Sequence, residues 1–65
     1  MIIVNGQPED LEVEITLKDF LKNYAYDERV VAVSLNEIII PKSAYESTIV
    51  KDGAVLEIIK FVAGG

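Results

Sequence analysis

One stretch of this chain carries the clear period of an α-helix. Leu17, Phe20, Leu21 and Tyr24 recur at i, i+3, i+4 and i+7, a single apolar stripe with Lys18, Lys22 and Asn23 outside it. Thr16 precedes the stripe as an N-cap, and Asp19 three residues later completes an approximate capping box. Two to three turns of amphipathic helix do not hold themselves in water, so this one needs a sheet to lie on. The remaining residues must supply that sheet, and 65 residues leave room for one domain. A chain of this size buries only about 60% of its unfolded surface, so its core must be rich. A hydrophobic fraction of 51% meets that demand.

The sheet is legible in pieces. Met1–Val4 is a β-rich run closed by Asn5-Gly6, the strongest two-residue hairpin signal. Pro8 follows the turn but sits poorly inside a paired strand. Leu11, Val13 and Ile15 alternate with Glu12 and Glu14, the period of a half-buried strand, so residues 1–15 read as a β-hairpin. Arg29–Leu35 is a near-continuous apolar run, as expected of a strand covered on both faces or well inside a sheet. Asn36-Glu37 turns the chain into a short strand, Ile38–Ile40, which Pro41 stops. Residues 42–48 read as a loop with one helical turn near Tyr45. Lys51-Asp52-Gly53 is a further turn, and Ala54–Phe61 is the last strand. The order implies an α+β fold, a mixed sheet of four to five strands with one helix packed on one face. That is the β-grasp (ubiquitin-like) order, with a domain over residues 1–61 and a tail over residues 62–65.

Conventional active sites are ruled out by composition. Cysteine and histidine are both absent, so no disulfide, thiolate metal site, Ser-His-Asp or Cys-His set is available. Four glycines at 6, 53, 64 and 65 make no phosphate-binding loop. Glu12 with Glu14, and Asp27 with Glu28, read as solvated faces, because an acid–base role requires burial to move the pKa. No metal or cofactor site follows, and the chain does not read as an enzyme acting alone. Eleven acids against six bases give a net charge of −5. That balance disfavours nucleic acid and suits a partner with a basic docking surface. No N-terminal targeting signal is read, and no apolar run approaches the roughly 20 residues of a membrane span. A soluble cytoplasmic protein with no membrane contact is expected.

The end of the sequence is its main anomaly. Glycine makes up about 7% of average sequence, so a chance terminal pair is roughly a 0.5% event. A frayed end is the plain alternative. Against it, Gly64-Gly65 directly follows Phe61-Val62-Ala63, with no polar spacer. Without a Cβ, such an end threads a narrow channel and presents its carboxylate to a partner's active site. At the root of this tail, strand alternation sends Leu56 and Ile58 one way and Val55, Glu57, Ile59 and Phe61 the other. With the helix over Leu56 and Ile58, the residues Phe61, Ile59 and Glu57 share the open face with Ala32 and Ser34. Two readings of these five stand: cover by neighbouring loops, or an apolar, acid-rimmed partner-docking patch.

The whole chain resembles the thiamin-biosynthesis sulfur carrier proteins, small β-grasp relatives of ubiquitin. Matching stretches are Ile2-Ile3-Val4-Asn5-Gly6, Thr16-Leu17-Lys18-Asp19-Phe20-Leu21, Val31-Ala32-Val33-Ser34-Leu35-Asn36, Ile40-Pro41-Lys42-Ser43, Val50-Lys51-Asp52-Gly53 and Phe61-Val62-Ala63-Gly64-Gly65. The resemblance implies a protein co-substrate that binds no cofactor of its own. An E1-like adenylyltransferase would use ATP and Mg to activate the Gly65 carboxylate. A sulfur donor protein would convert the adenylate to a thiocarboxylate, and thiazole synthase would take the sulfur. Gly64, Ala63 and Val62 would form the tail that delivers it. With no cysteine, the protein cannot carry sulfur as a persulfide, which agrees independently. Tyr45 stands where the family often has tryptophan, Glu37 where a turn often has Gly or Gln, and Lys60 is an uncommon choice. These three are expected at docking surfaces or turns. A carrier for molybdopterin or tRNA thiolation, or a ubiquitin-like modifier, would share the fold and the diglycine. The molybdopterin-synthase small subunits are usually longer and often carry proline just before the tail; this chain has none there.

Overall fold

The computed structural model describes residues 1–61. In chain order its elements are β1 (Ile2–Val4), β2 (Gln7–Glu9), β3 (Ile15–Thr16), α1 (Leu17–Asn23), β4 (Val31–Leu35), β5 (Ile38–Ile40), β6 (Ile49–Val50) and β7 (Val55–Lys60). Short 3-10 turns occupy Glu28–Val30 and Lys42–Ala44. Five strands form the main sheet in the order β2-β1-β7-β4-β5, and β3 pairs with β6 in a small second sheet. β1 runs parallel to β7 and every other pairing is antiparallel, so the sheet is mixed as expected.

The first hairpin forms because Asn5 (φ +51°) and Gly6 (φ +82°) both take the left-handed backbone that a twist-matched two-residue turn requires. That turn fixes the return strand at once, with Ile3 opposite Pro8 and Val4 opposite Gln7. Pro8 is tolerated because β2 is an edge strand. The strand expected over Leu11–Ile15 is therefore displaced. Its place in the hairpin is already filled by Gln7–Glu9, and only Ile15 and Thr16 pair, with Val50 and Ile49. Leu11 still leans on the core, whereas Val13 is exposed.

The helix starts as read: the Asp19 N–H donates to Thr16 Oγ1 at 3.1 Å. Leu17, Phe20 and Leu21 are buried against the sheet, but Tyr24 is the C-cap and lies largely exposed, its ring stacked on Phe20 at 4.5 Å. The last place in the stripe goes instead to Tyr45, 2% exposed, from the segment expected to be a loop with one helical turn near it, the turn that Lys42–Ala44 supplies. Thus the tyrosine–tryptophan exchange concerns the core and not a docking surface. The same segment satisfies the start of the helix: Leu17 N–H donates to Thr48 O at 2.7 Å and Lys18 N–H to Tyr45 O at 3.0 Å. Ile2, Val4, Val31, Val33, Leu56 and Ile58 supply the sheet side of the core, and Val50 closes it beside the helix. β4 lies inside the sheet, but only its Val31/Val33 face is covered. The ion pairs are exposed, such as Lys18–Glu46 at 2.9 Å, and add little, so apolar packing holds the domain.

Candidate functional site: the open face of the sheet and the end of the last strand

Alternation along β7 produces the site. Leu56 and Ile58 point under the helix, while Val55, Glu57 and Ile59 face outward. Ile59 is 65% exposed and pairs across β4 with Ala32; Glu57 pairs with Ser34. On the other side of Ser34 stands Ile39 of β5, 78% exposed. The result is a shallow groove over Ala32, Ser34, Glu37, Ile39, Glu57 and Ile59, with apolar walls and two carboxylates at its rim. Four of the five expected docking residues are thus neighbours on one face. Ile39 was missed, although its signal was present. A two-residue turn at Asn36-Glu37 places Leu35 opposite Ile38, and hence Ser34 opposite Ile39.

Phe61 stands past the groove, at the end of β7. Its N–H donates to Val30 O at 2.9 Å and extends the β4 pairing beyond Lys60. The ring is 47% exposed, and the Lys42 ammonium lies 5.5 Å from its centroid while also donating to Arg29 O at 3.2 Å. A cation over an aromatic face is worth about 0.5–1 kcal/mol at such an exposed position. Val62, Ala63, Gly64 and Gly65 lie outside the described residues.

Two turn asparagines hold β7, one at its first residue and one at its fourth. The Asn36 Oδ1 accepts from Val55 N–H at 2.9 Å. Asn5 engages both backbone groups of Ile58: its Oδ1 accepts from the N–H at 2.7 Å and its Nδ2 donates to the carbonyl at 3.2 Å.

The charged groups with clear pKa shifts belong to surface ion pairs. Hydrogen bonds from Arg29 hold the Asp27 carboxyl down at about 2, and the Arg29 guanidinium is raised in return. The hydrogen bond with Glu46 raises Lys18 and lowers Glu46. Burial raises the Tyr45 hydroxyl. None of these groups lines the groove. Among the described residues no three acidic, His or Cys side chains gather as a metal site, and no helix is long and apolar enough to cross a membrane. Among the described residues the groove combines apolar walls with two rim carboxylates, a surface suited to contact with another protein.

The fold and this face together define a small β-grasp domain, and comparison with known proteins places it further. The ThiS family model matches residues 2–65. The chain is 38% identical over 66 residues to the sulfur carrier protein ThiS of Bacillus subtilis, covering 100% of both. It is 38% identical over 64 residues to a thiazole synthase of Paramagnetospirillum magneticum, covering 98% of this chain and 20% of that relative. The chain therefore spans about a fifth of that protein's length. The crystal structure of the thiamine biosynthesis protein ThiS from Geobacter metallireducens superposes with a TM-score of 0.85 at 28% identity, covering 98% of this chain and 97% of that one. This chain belongs to the ThiS family of small sulfur carrier proteins.

Proposed function

We propose that this chain carries sulfur at the carboxyl group of Gly65 for thiazole formation in thiamin biosynthesis. The carboxylate attacks the α-phosphate of ATP, held with Mg by an E1-like activating enzyme; pyrophosphate leaves and an acyl adenylate forms. Sulfur at the sulfide level, supplied by a sulfur donor protein, then attacks the acyl carbon; the acyl–phosphate bond breaks, AMP departs, and a thiocarboxylate remains. Thiazole synthase consumes it and returns the carboxylate. The setting is the cytoplasm, and the chain is a co-substrate in each step.

The observation that carries this reading is the 38% identity to a sulfur carrier protein over 100% of both chains, in a sequence that holds the Gly64-Gly65 pair and no cysteine. Support for the consumer comes from the thiazole synthase of which a fifth is similar to this chain. The open face supplies docking. Ile39 and Ile59 give the activating enzyme an apolar contact, Glu37 and Glu57 ask for a basic rim on it, and Phe61 anchors the root of the tail. Adding one residue after Gly65 tests the chemistry, because it displaces the reacting carboxyl while leaving residues 1–61 intact. With the activating enzyme and ATP, the extended protein is expected to release no pyrophosphate. Release at the unextended rate would overturn the reading.

A further inference from the structure

The two hairpin turns differ in what their asparagines do to the last strand. β1 pairs with β7 only through Ile3–Val55 and Val4–Leu56, and the Asn5 N–H closes that ladder on Leu56 O at 2.9 Å. From there β1 turns away, and the β1-facing N–H and C=O of Ile58 would be left to water. The Asn5 amide takes both. A primary amide presents its carbonyl oxygen and the N–H syn to it side by side, so it can accept from one residue's N–H and donate to the same residue's C=O, and here it acts as one further rung beside β1. Past Ile58, β7 is held from the β4 side alone, through Lys60 opposite Val31 and Phe61 N–H on Val30 O.

We propose that Asn5 is a positioning residue for the carrier reaction: its bidentate hold on Ile58 fixes where two-sided support of β7 ends and so aims the chain that leads to Gly65. The proposal rests on the carrier reading above. Without the clamp, two-sided support stops at Leu56, two residues earlier. Two residues of extended chain span roughly 7 Å, and a reacting group misplaced by even 1 Å loses up to about a hundredfold in rate. Asn36 makes the natural control. It too opens a left-handed turn (φ +51°) and binds the same strand, but at Val55, the end remote from Phe61.

Asn5→Gly and Asn36→Gly each keep their turn, since glycine takes positive φ without strain, and each removes only the side-chain clamp. Amide hydrogen exchange is expected to accelerate at Ile58 in the first variant and at Val55 in the second. In adenylation by the activating enzyme, Asn5→Gly is expected to lower kcat roughly tenfold or more with KM little changed. Asn36→Gly keeps the wild-type kcat. If wild type is activated and the two variants share one kcat, Asn5 merely stabilises the strand and the proposal is wrong. If Ile58 exchange is unmoved in Asn5→Gly, the clamp itself is wrong. Wild-type protein that is never activated overturns the carrier reading and this role with it, an outcome distinct from both others.

Discussion

Ile58 and Ile59 are adjacent residues of one type on one strand, yet Ile58 is 6% exposed and Ile59 65%. The same contrast repeats across the sheet, with Val33 under the helix and Ile39 in the open. Burying a side chain of this size contributes about 1.5–3 kcal/mol, so the two faces do different physical work with the same residues. One face holds the domain together. The other leaves apolar area in water, at the point from which the chain runs on to its diglycine, where a partner can cover it. Hydrophobic content alone therefore does not separate folding from recognition in so small a domain; strand alternation beneath a single helix does.

Substitutions on each face sharpen or break this contrast. The largest effect is expected from Ile58→Ala, which empties a core position and should cost about 2–5 kcal/mol of stability in denaturant unfolding. A loss below about 1 kcal/mol would mean that Ile58 faces outward. Phe61→Ala should show the reverse profile. Its loss of folding stability is expected well under the roughly 3–5 kcal/mol of a buried Phe→Ala change. Its binding to the activating enzyme should weaken by about 2 kcal/mol, more than tenfold in Kd by calorimetric titration. Collapse of the melt would make Phe61 a core residue, and unchanged binding would remove it from the interface.

Glu37→Gly should produce a smaller effect of opposite sign. Glu37 sits at φ +71°, a conformation that costs a non-glycine residue about 1 kcal/mol, and glycine relieves it. The melt should rise by up to about 1 kcal/mol, while the loss of a rim carboxylate reduces the salt dependence of association with a basic partner. A melt that falls would show that the Glu37 side chain holds the hairpin in a way its backbone does not reveal.

Much of this arrangement is legible in local sequence, and the gaps have physical causes. Thr16 before Leu17-Lys18-Asp19 announces the helix cap because capping is a contact three residues long. The alternation in Val55–Phe61 announces its two faces for the same reason. Pro8 misdirects the second strand, since its effect depends on lying at a sheet edge, which no local pattern reports. Tyr45 reaches the core from a segment without period, placed there by hydrogen bonds to the start of α1 and not by its own periodicity. The partnership between Asn5 and Ile58 spans 53 positions and is visible only in three dimensions. Ile39 is the instructive omission, because the turn length alone places it beside Ser34. The tail expected over residues 62–65 lies outside the described residues.

In the proposed carrier, the carboxyl group of Gly65 is the cargo site. Incubating the protein with its activating enzyme, ATP and a sulfur donor, and then measuring the intact mass, tests this most directly. The expected product has one oxygen exchanged for one sulfur, with the change confined to the C-terminal fragment and reversed after incubation with thiazole synthase and its substrates. Covalent adducts with lysines of other proteins would instead define a modifier, and an unchanged mass under conditions that adenylate a known sulfur carrier would contradict the claim outright.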